Sequence, residues 1–578
     1  MKKYYLLLYL ILLFALYFLS ILNGRFDLDD NELLDPPHIR SGISIENIKT
    51  MLTWGKHVDF LPVHNFSHML EATISPGSEK LIHFNNIIIF LLIVIALYFV
   101  FQKYFLLNSL SAFLATIAVT INGTSHELVV WINGRKDSLS LLFILVFILY
   151  TNAFLQKNYK NLNWNYVFKL VSILFLYSLA IFTKSNAVVV LALLIFCFLW
   201  EYRSELREIP KSFWLFFVVS LVITINYLLM VRNFYSTVNK MVWHVETITR
   251  IQMHLVALGH HVFDWIIPVF QILHPRQTDL WFELNFNYIY FGILLWVVVF
   301  GILLNVHKLP KKMARSFFWI IFFYAPVSGL IFEHPHFYSA RYAYLSLIGF
   351  AGLMFQIIDY YKSRLWFKKF NFVWMFLFLL YFGTHLHHNF NAVNRWQESA
   401  LVWKHSHLSR PNDPTLASYF LRAILRDDGK SMKLLAEIEP YKNSLISFLE
   451  ENCSNKDYIN KALYSCSHFR ETMFVFFPNK ENANHLLDDT FYPWIRCKAL
   501  LYLKRYNDIE ILLQKRSIDV SKIRENEGMR NCRFLYLCFA KGIEAADEYK
   551  NELIKANIAR QPTLEYWNLV SRNCAELN

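Results

Sequence analysis

The segment "HELVVWINGRKDSLSLLFILVFILY", residues 126–150, joins a charged stretch directly to a long apolar run. Arg135, Lys136 and Asp137 stand immediately before that run, which we delimit at residues 138–155. A helix needs about 20 predominantly apolar residues to cross a bilayer, so the run has a suitable length. The segment therefore predicts a membrane-spanning helix with three charged residues at one end.

Apolar runs of similar length recur along the chain. Its 578 residues are 55% hydrophobic and 17% charged, a composition typical of membrane proteins. The first run is long and lacks a small-residue cleavage site, so we interpret it as an uncleaved span rather than a signal peptide. The predicted fold class is an all-α, polytopic membrane protein with about eleven transmembrane helices. They lie near residues 4–22, 82–101, 106–122, 138–155, 165–183, 186–200, 212–231, 286–305, 316–333, 341–358 and 371–385.

The basic loops indicate an orientation. "KNYK" (157–160), "HKLPKKMAR" (307–315) and "YKSRLWFKK" (361–369) lie between apolar runs. Short loops rich in Lys and Arg are typical of the cytoplasmic side, so we predict a multi-pass protein of the cytoplasmic (inner) membrane with a cytoplasmic N-terminus. Loop 23–81 and everything after about residue 386 are then extracytoplasmic. This distribution, despite a net charge of +13, argues against nucleic acid as a partner.

One further run, residues 254–273, would change this topology if it crossed the membrane. It carries His254, His260, His261 and Asp264. Charged and polar residues are costly in hydrocarbon, so we interpret the run as a re-entrant or interfacial segment. A true span is the alternative.

The predicted domains are a transmembrane domain, residues 1–390, and an extracytoplasmic α-helical domain, residues 391–578. Within loop 23–81 we expect two interfacial helices, at 44–54 and 64–74, with Ser44 as the cap of the first and Ile45, Ile48 and Leu52 on one face. Residues 497–515 resemble one tetratricopeptide unit, although the repeat is degenerate. The six cysteines of this domain suggest disulfides or, alternatively, buried free thiols. They are Cys453, Cys466, Cys497, Cys532, Cys538 and Cys574.

The predicted topology brings several charged and polar residues to the outer ends of the spans. Cations are disfavoured in short outer loops, and an anionic ligand at the membrane surface, such as the phosphate of a lipid carrier, would explain them. The candidates for phosphate binding are Arg135, Lys136, Lys184 and Arg341, and the candidate supporting residues are His126, Glu127, Asp137 and Tyr342. Simpler explanations stay open, because Lys184 could extend to lipid head groups and Arg135 could pair with Asp137.

The acidic stretch "RFDLDDNELLDPPH", residues 25–38, follows the first span and supplies candidate bases. Transfer of a sugar from a polyisoprenyl phosphate needs cations for the departing phosphate and a carboxylate base for the acceptor hydroxyl. Asp29 or Asp30 would be that base and His64 a supporting residue, and direct attack would invert the anomeric centre. The acidic residues could also simply form a solvated turn. No spacing predicts a metal site, no cofactor is required, and a divalent metal is not excluded.

The order of six motifs resembles the transmembrane and tetratricopeptide-repeat O-mannosyltransferases and their bacterial relatives, which belong to the GT-C class. The resemblance covers about residues 1–410, and "WINGRKDSLSLLF" is its most specific part. The motifs are "FDLDDNELLDPP", "FLPVHNFSHMLEA", "HFNNIIIFLL", "HELVVWINGRKDSLSLLF", "LAIFTKSNAVVV" and "ARYAYLSLIGF".

The resemblance implies roles for individual residues. Asp29 or Asp30 matches the catalytic acid of the family's first loop. The other matched residues are Arg135, Lys136 and Asp137 for "GRKD", Lys184 for the lysine of "SKE", and Arg341 and Tyr342 for "DRY". The chain departs from the family at Leu61, which replaces an arginine before Pro62, at Ser185 and Asn186 after Lys184, and at Ala340, which replaces an aspartate.

Two functional hypotheses follow. The first is an inverting glycosyltransferase that takes mannose or another hexose from a polyprenyl-phosphate carrier to a protein, glycan or lipid hydroxyl, with the helical repeats recruiting the acceptor. The second is a non-catalytic membrane-anchored scaffold for envelope assembly. A transporter is disfavoured, because no inverted repeat is visible and the charges lie at one end of the spans.

Overall fold

A computed structural model of the chain describes residues 4–23, 30, 34, 36–53, 60–155, 164–203, 211–236, 247–268, 286–330, 339–361, 371–397, 399–409, 416, 419–420, 534, 536–537, 541 and 543–555. The regular elements among these residues are helices. The predicted tetratricopeptide-like unit at 497–515, Asp29, and the six C-terminal cysteines lie outside the described residues.

The chain divides into two compact units, Met1–Glu398 and Ser399–Asn578. The predicted boundary at residue 390 lies within a helix that ends at Arg395. The first unit contains α1 (Tyr4–Tyr17), α2 (Pro37–Arg40), α3 (Ile45–Thr53), α4 (Pro62–Ile74), α5 (Glu79–Lys103), α6 (Ser109–Thr120), α7 (Glu127–Val130), α8 (Arg135–Leu155), α9 (Trp164–Thr183), α10 (Val189–Glu201), α11 (Lys211–Ser236), α12 (Thr247–Ile266), α13 (Tyr288–Leu304), α14 (Lys311–Tyr324), α15 (Tyr344–Tyr361) and α16 (Asn371–Arg395). In the second unit the described helices are α17 (Ser399–Ser409) and α18 (Ile543–Lys555).

Six described helices are long and apolar enough to cross a membrane. A seventh span is formed if the pair Ser109–Thr120 and Gly123–Val130, bent by 61°, counts as one. The six are Tyr4–Leu22, Glu79–Lys103, Arg135–Leu155, Trp164–Thr183, Phe213–Arg232 and Arg341–Tyr361. These helices support a multi-pass helical membrane protein, whereas the count of eleven stays a prediction. The predicted runs 186–200 and 286–305 correspond to the shorter apolar helices Ser185–Glu201 and Tyr288–Leu304.

The helix α12 is buried on its polar side. His254, His260, His261 and Asp264 are each about fully buried, at 0–1% exposure. The helix packs against α13 with backbone in contact, since a Cβ on Gly292 would lie 2.0 Å from the carbonyl oxygen of Leu255. α12 is not among the helices that qualify as spans. Whether it is re-entrant stays a prediction.

The helices of the first loop form as predicted, with one shifted start. Ser44 caps α3, because its Oγ accepts a hydrogen bond from the backbone N–H of Asn47 at 3.0 Å. α4 begins at Pro62 rather than at residue 64, since proline is well suited to the first helical position, where its missing N–H is not needed. The predicted apolar face of α3 is divided between two environments. Ile48 packs with the buried residues Ile39, Met51 and Met69, whereas Ile45 is 89% exposed.

Candidate functional site

The site is built around the turn that precedes α8. A Cβ on Gly134 would lie 2.1 Å from the carbonyl oxygen of Glu127, so only glycine allows the chain to fold back this closely. The turn then starts α8 at Arg135, and Asp137 lies in its first helical turn, where a negative charge is favourable. The sequence "NGRKD" therefore presents its charged residues from a fixed backbone.

Asp30 of the first loop reaches this turn. Its side chain is fully buried, and its Oδ1 accepts a hydrogen bond from the backbone N–H of Asn133 at 3.2 Å. A backbone N–H that donates to a carboxylate stabilises its ionised form. The structure thus brings one of the two candidate bases to the segment that carries the candidate cations. The other candidate, Asp29, is not described.

Arg135 is enclosed by protein acceptors. Its Nη1 lies 2.6 Å from Glu71 Oε2, its Nε donates to Asn86 Oδ1 at 2.6 Å, and its Nη2 donates to the carbonyl oxygen of Ile82 at 2.6 Å. Both ions are buried, with side-chain exposures of 1% for Arg135 and 6% for Glu71. Arg135 therefore joins α8 to α4 and α5. Its expected role as a phosphate ligand does not fit this geometry, because each of its three guanidinium nitrogens has a protein partner and the side chain is buried.

Two further side chains complete this Arg135 cluster, which we define as Arg135, Glu71, His68, Asn85 and Asn86. Asn85 Nδ2 donates to Glu71 Oε1 at 2.6 Å, and His68 Nδ1 lies 3.1 Å from Glu71 Oε2. Because an ionised carboxylate can only accept, the proton of the His68–Glu71 contact belongs to Nδ1 of the imidazole. His68 Nε2 then faces His64 Nε2 at 3.3 Å.

The protonation states within the cluster follow from burial and charge. Burial alone would raise the pKa of Glu71, but the hydrogen bond with His68 and the positive charge of Arg135 lower it to about 2. Burial lowers the pKa of His68, and the Arg135 charge adds to this effect, so that the pKa falls to about 4 against the opposing influence of Glu71. At neutral pH the cluster therefore contains an ionised Glu71 and a neutral His68.

A second group, the Lys184–Arg341 cluster, lies on the other side of the same turn and contains Lys136, Asp137, Lys184, Arg341 and Glu127. Lys184 forms an ion pair with Asp137 Oδ1, and Arg341 Nη1 lies 3.4 Å from Glu127 Oε2.

Aromatic rings accompany these cations. The Arg341 guanidinium stacks over Trp131 at 4.4 Å and lies 5.1 Å from the Tyr342 ring, whereas Lys184 Nζ lies 5.6 Å from that ring. Cations on aromatic faces are stabilised without being neutralised.

The cations of this cluster act on one another. Burial lowers the pKa of Lys184; Asp137 opposes that shift, and the charges of Lys136 and Arg341 add to it. Burial, the neighbouring His68 and the charges of Lys136 and Arg135 lower the pKa of His64 well below its ordinary value. Lys136 therefore lies within electrostatic reach of both Lys184 and α4. The cluster thus combines three cations with the two carboxylates Asp137 and Glu127.

The remaining candidates divide between the two sides of the turn. His126 Nδ1 contacts the carbonyl oxygen of Gly123, and its ring lies 6.3 Å from Trp396, so it belongs to the bend between α6 and α7. His64 lies against the Arg135 cluster. The sequence reasoning missed Glu71, His68, Asn85, Asn86 and Trp131. A helical spacing could have revealed two of them, because residues 64, 68 and 71 share one face of α4.

The described side chains of the site can bind anions and accept protons. Asp30 is a buried carboxylate, and Lys136, Lys184 and Arg341 are cations contributed by three separate segments. Within the described residues, no group of three or more His, Cys, Asp or Glu side chains has the arrangement of a metal site. No protein-family model, curated protein or solved structure matches the chain.

Proposed function

We propose that the protein is an integral-membrane inverting glycosyltransferase that uses a polyisoprenyl-phosphate sugar. It would transfer mannose or another hexose to a hydroxyl of a protein, glycan or lipid acceptor on the extracytoplasmic side of the cytoplasmic membrane. The proposal rests on the hydrogen bond between Asp30 and the backbone of Asn133, which lies in the segment that contains Lys136 and Asp137. That segment begins a helix with the length and hydropathy of a membrane span, so the charged groups lie at its end.

The proposed roles follow from charge and position. Lys136, Lys184 and Arg341 would bind the phosphate and stabilise the charge that grows on it as the glycosidic bond breaks. Asp30 would accept the proton of the acceptor hydroxyl as that oxygen bonds to the anomeric carbon and the bond from this carbon to the phosphate oxygen breaks. The carrier phosphate, stabilised by the cations, would leave without a general acid. Arg135 is excluded from phosphate binding in this proposal, since Glu71, Asn86 and Ile82 occupy its donors.

The second candidate is the non-catalytic scaffold, and one observation favours it. Arg135, Lys184 and Arg341 each have a carboxylate partner, in Glu71, Asp137 and Glu127 respectively. Buried ion pairs of this kind also occur as purely structural features. The two candidates differ in whether the removal of the Asp30 charge abolishes a chemical reaction.

The test compares the wild type with Asp30→Asn and Asp29→Asn, each purified in lipid and incubated with a panel of labelled polyprenyl-phosphate sugars. Asparagine preserves the acceptor for the Asn133 N–H but cannot take a proton. If Asp30 is the base, Asp30→Asn lowers sugar transfer by about 100-fold or more, since general-base catalysis contributes about 10²–10⁴-fold. Asp359→Asn is the matched control, because Asp359 accepts hydrogen bonds from Asn108 and Ser111 at the opposite end of α15.

Two results would overturn the proposal. In the first, no donor is consumed by the wild type. In the second, Asp30→Asn and Asp29→Asn both transfer sugar at the wild-type rate. Either outcome, together with normal envelope assembly in cells that carry Asp30→Asn, would favour the scaffold.

A further inference from the structure

The bend between α6 and α7 interrupts an apolar segment at the level of the predicted spans. The two helices of this segment meet at 61°, and the polar residues of the connection, Asn122, Thr124 and Ser125, are at most 1% exposed. A break in a membrane helix frees backbone N–H and C=O groups, and these need partners from neighbouring protein.

The helix α16 supplies most of these partners from one face. Tyr381, His385 and Asn389 are spaced four residues apart, so their side chains follow one another along that face, which we call the polar stripe. Tyr381 Oη donates to the carbonyl oxygen of Ala118 at 2.7 Å. Asn389 Nδ2 donates to the carbonyl oxygen of Ile121 at 2.7 Å.

The stripe also receives two hydrogen bonds from the bend. The backbone N–H of Gly123 donates to His385 Nδ1 at 2.9 Å, and Asn122 Nδ2 donates to Tyr381 Oη at 2.9 Å. His385 and Asn389 are fully buried. Buried polar side chains need hydrogen-bond partners, and the bend provides them.

The bend leads directly to the Lys184–Arg341 cluster. Glu127 begins α7 immediately after it and pairs with Arg341, and Trp131, on which Arg341 stacks, follows the last residue of the same helix. The direction in which the chain leaves the bend therefore sets the position of the Arg341 guanidinium.

We propose that Tyr381, His385 and Asn389 are positioning residues of the transferase site. They hold the bend so that Glu127 and Trp131 place Arg341 against the donor phosphate. The inference rests on the proposed function, although its structural half, that the stripe holds the bend, stands independently.

The experiment measures hydrogen exchange of the backbone amides of residues 118–134 in the full chain, in lipid, and the kinetics of sugar transfer in the same preparations. Loss of a buried hydrogen bond in His385→Leu is expected to accelerate exchange in this segment by about ten-fold or more. His385→Asn should restore much of the protection, since its Oδ1 replaces the Nδ1 acceptor. His387→Leu is the matched control, because His387 is exposed on the same helix and bonds only to Asn391 among the described residues.

The kinetic measurement separates positioning from simple loss of structure. His385→Leu should raise the KM for the donor by about ten-fold with a smaller change in kcat, whereas His385→Asn should return KM towards the wild-type value. If His385→Leu does not fold, both measurements are made on Tyr381→Phe, which removes one hydroxyl group.

The outcomes distinguish the two proposals. Unchanged exchange in both His385→Leu and Tyr381→Phe would overturn the role of the stripe, whether or not the protein transfers sugar. Faster exchange with an unchanged donor KM would show that the stripe holds the bend but does not position the site, which overturns the inference. Faster exchange in a protein that consumes no donor would overturn the proposed function and, with it, the positioning role.

Discussion

Arg135 and Arg341 are both buried arginines beside the same turn, yet their surroundings differ. Arg135 contacts a carboxylate, an amide and a backbone carbonyl, all at 2.6 Å. Arg341 Nη1 lies 3.4 Å from Glu127 Oε2, and its guanidinium stacks on Trp131 within electrostatic reach of Lys184. A cation at the end of a span is therefore not defined by its charge alone. Its role depends on which groups of the protein surround it.

The largest expected effect is on the stability of the Arg135 cluster. Arg135→Met leaves Glu71 ionised and without its cation in a buried site, and the removal of one partner of a buried pair costs about 3–5 kcal/mol. We expect a marked fall in the midpoint of thermal unfolding in detergent, or no folded protein. Arg203→Met is the control, since Arg203 is exposed and packs over Trp200. If both variants unfold at the same temperature, Arg135 is not a structural ion.

The next effect is on the function of the Lys184–Arg341 cluster. Lys184→Met removes a charge-assisted interaction worth about 1.5–3 kcal/mol, which corresponds to a donor KM raised about 10- to 100-fold. Its unfolding midpoint should fall less than that of Arg135→Met, because Lys136 and Arg341 still compensate Asp137. Lys184→Arg should retain part of the affinity. If Lys184→Met destabilises the protein as strongly as Arg135→Met, Lys184 is a structural ion and the two clusters do not differ in role.

A third prediction concerns the loss of folding stability at acidic pH. The pKa of His68 is lowered to about 4 and that of Glu71 to about 2, so the unfolded chain binds their protons first as the pH falls. Stability is therefore lost from about pH 6.5 down to 4 through His68, and from about 4.5 down to 2 through Glu71. In His68→Gln, the unfolding midpoint should change less between pH 6.5 and 4.5 than it does in the wild type or in His387→Gln. An unchanged slope would mean that His68 is not held neutral.

The smallest effect tests the edge of the Arg135 cluster. Asn85→Ala removes one hydrogen bond to the Glu71 carboxylate and is expected to cost about 1.5 kcal/mol, since hydrogen bonds to charged groups contribute about 1.5–3 kcal/mol. Sugar transfer should be unaffected, because the hydrogen bond of Asn85 is made to Glu71 in the Arg135 cluster. The measurement is the unfolding midpoint beside the donor KM. A raised KM with unchanged stability would place Asn85 in the functional cluster instead.

Much of the fold was accessible from local patterns. The run after Asp137, the cap at Ser44 and the proline at the start of α4 are signals that lie within a few residues of the structure they specify. The bend between α6 and α7 was not predicted, because the run 106–122 has the length and mean hydropathy of one span and the partners of the bend, such as His385, lie far along the chain.

By itself, the sequence determined that this is a helical membrane protein and that charged residues collect at the ends of its spans, because apolar length and charge position are properties of short segments. The assignment of roles to those charges needed the tertiary structure. Arg135 is paired with Glu71, 64 positions earlier, and Glu127 with Arg341, 214 positions later. A buried ion is stabilised only by the groups that fold around it, and no local pattern specifies which distant residues those will be.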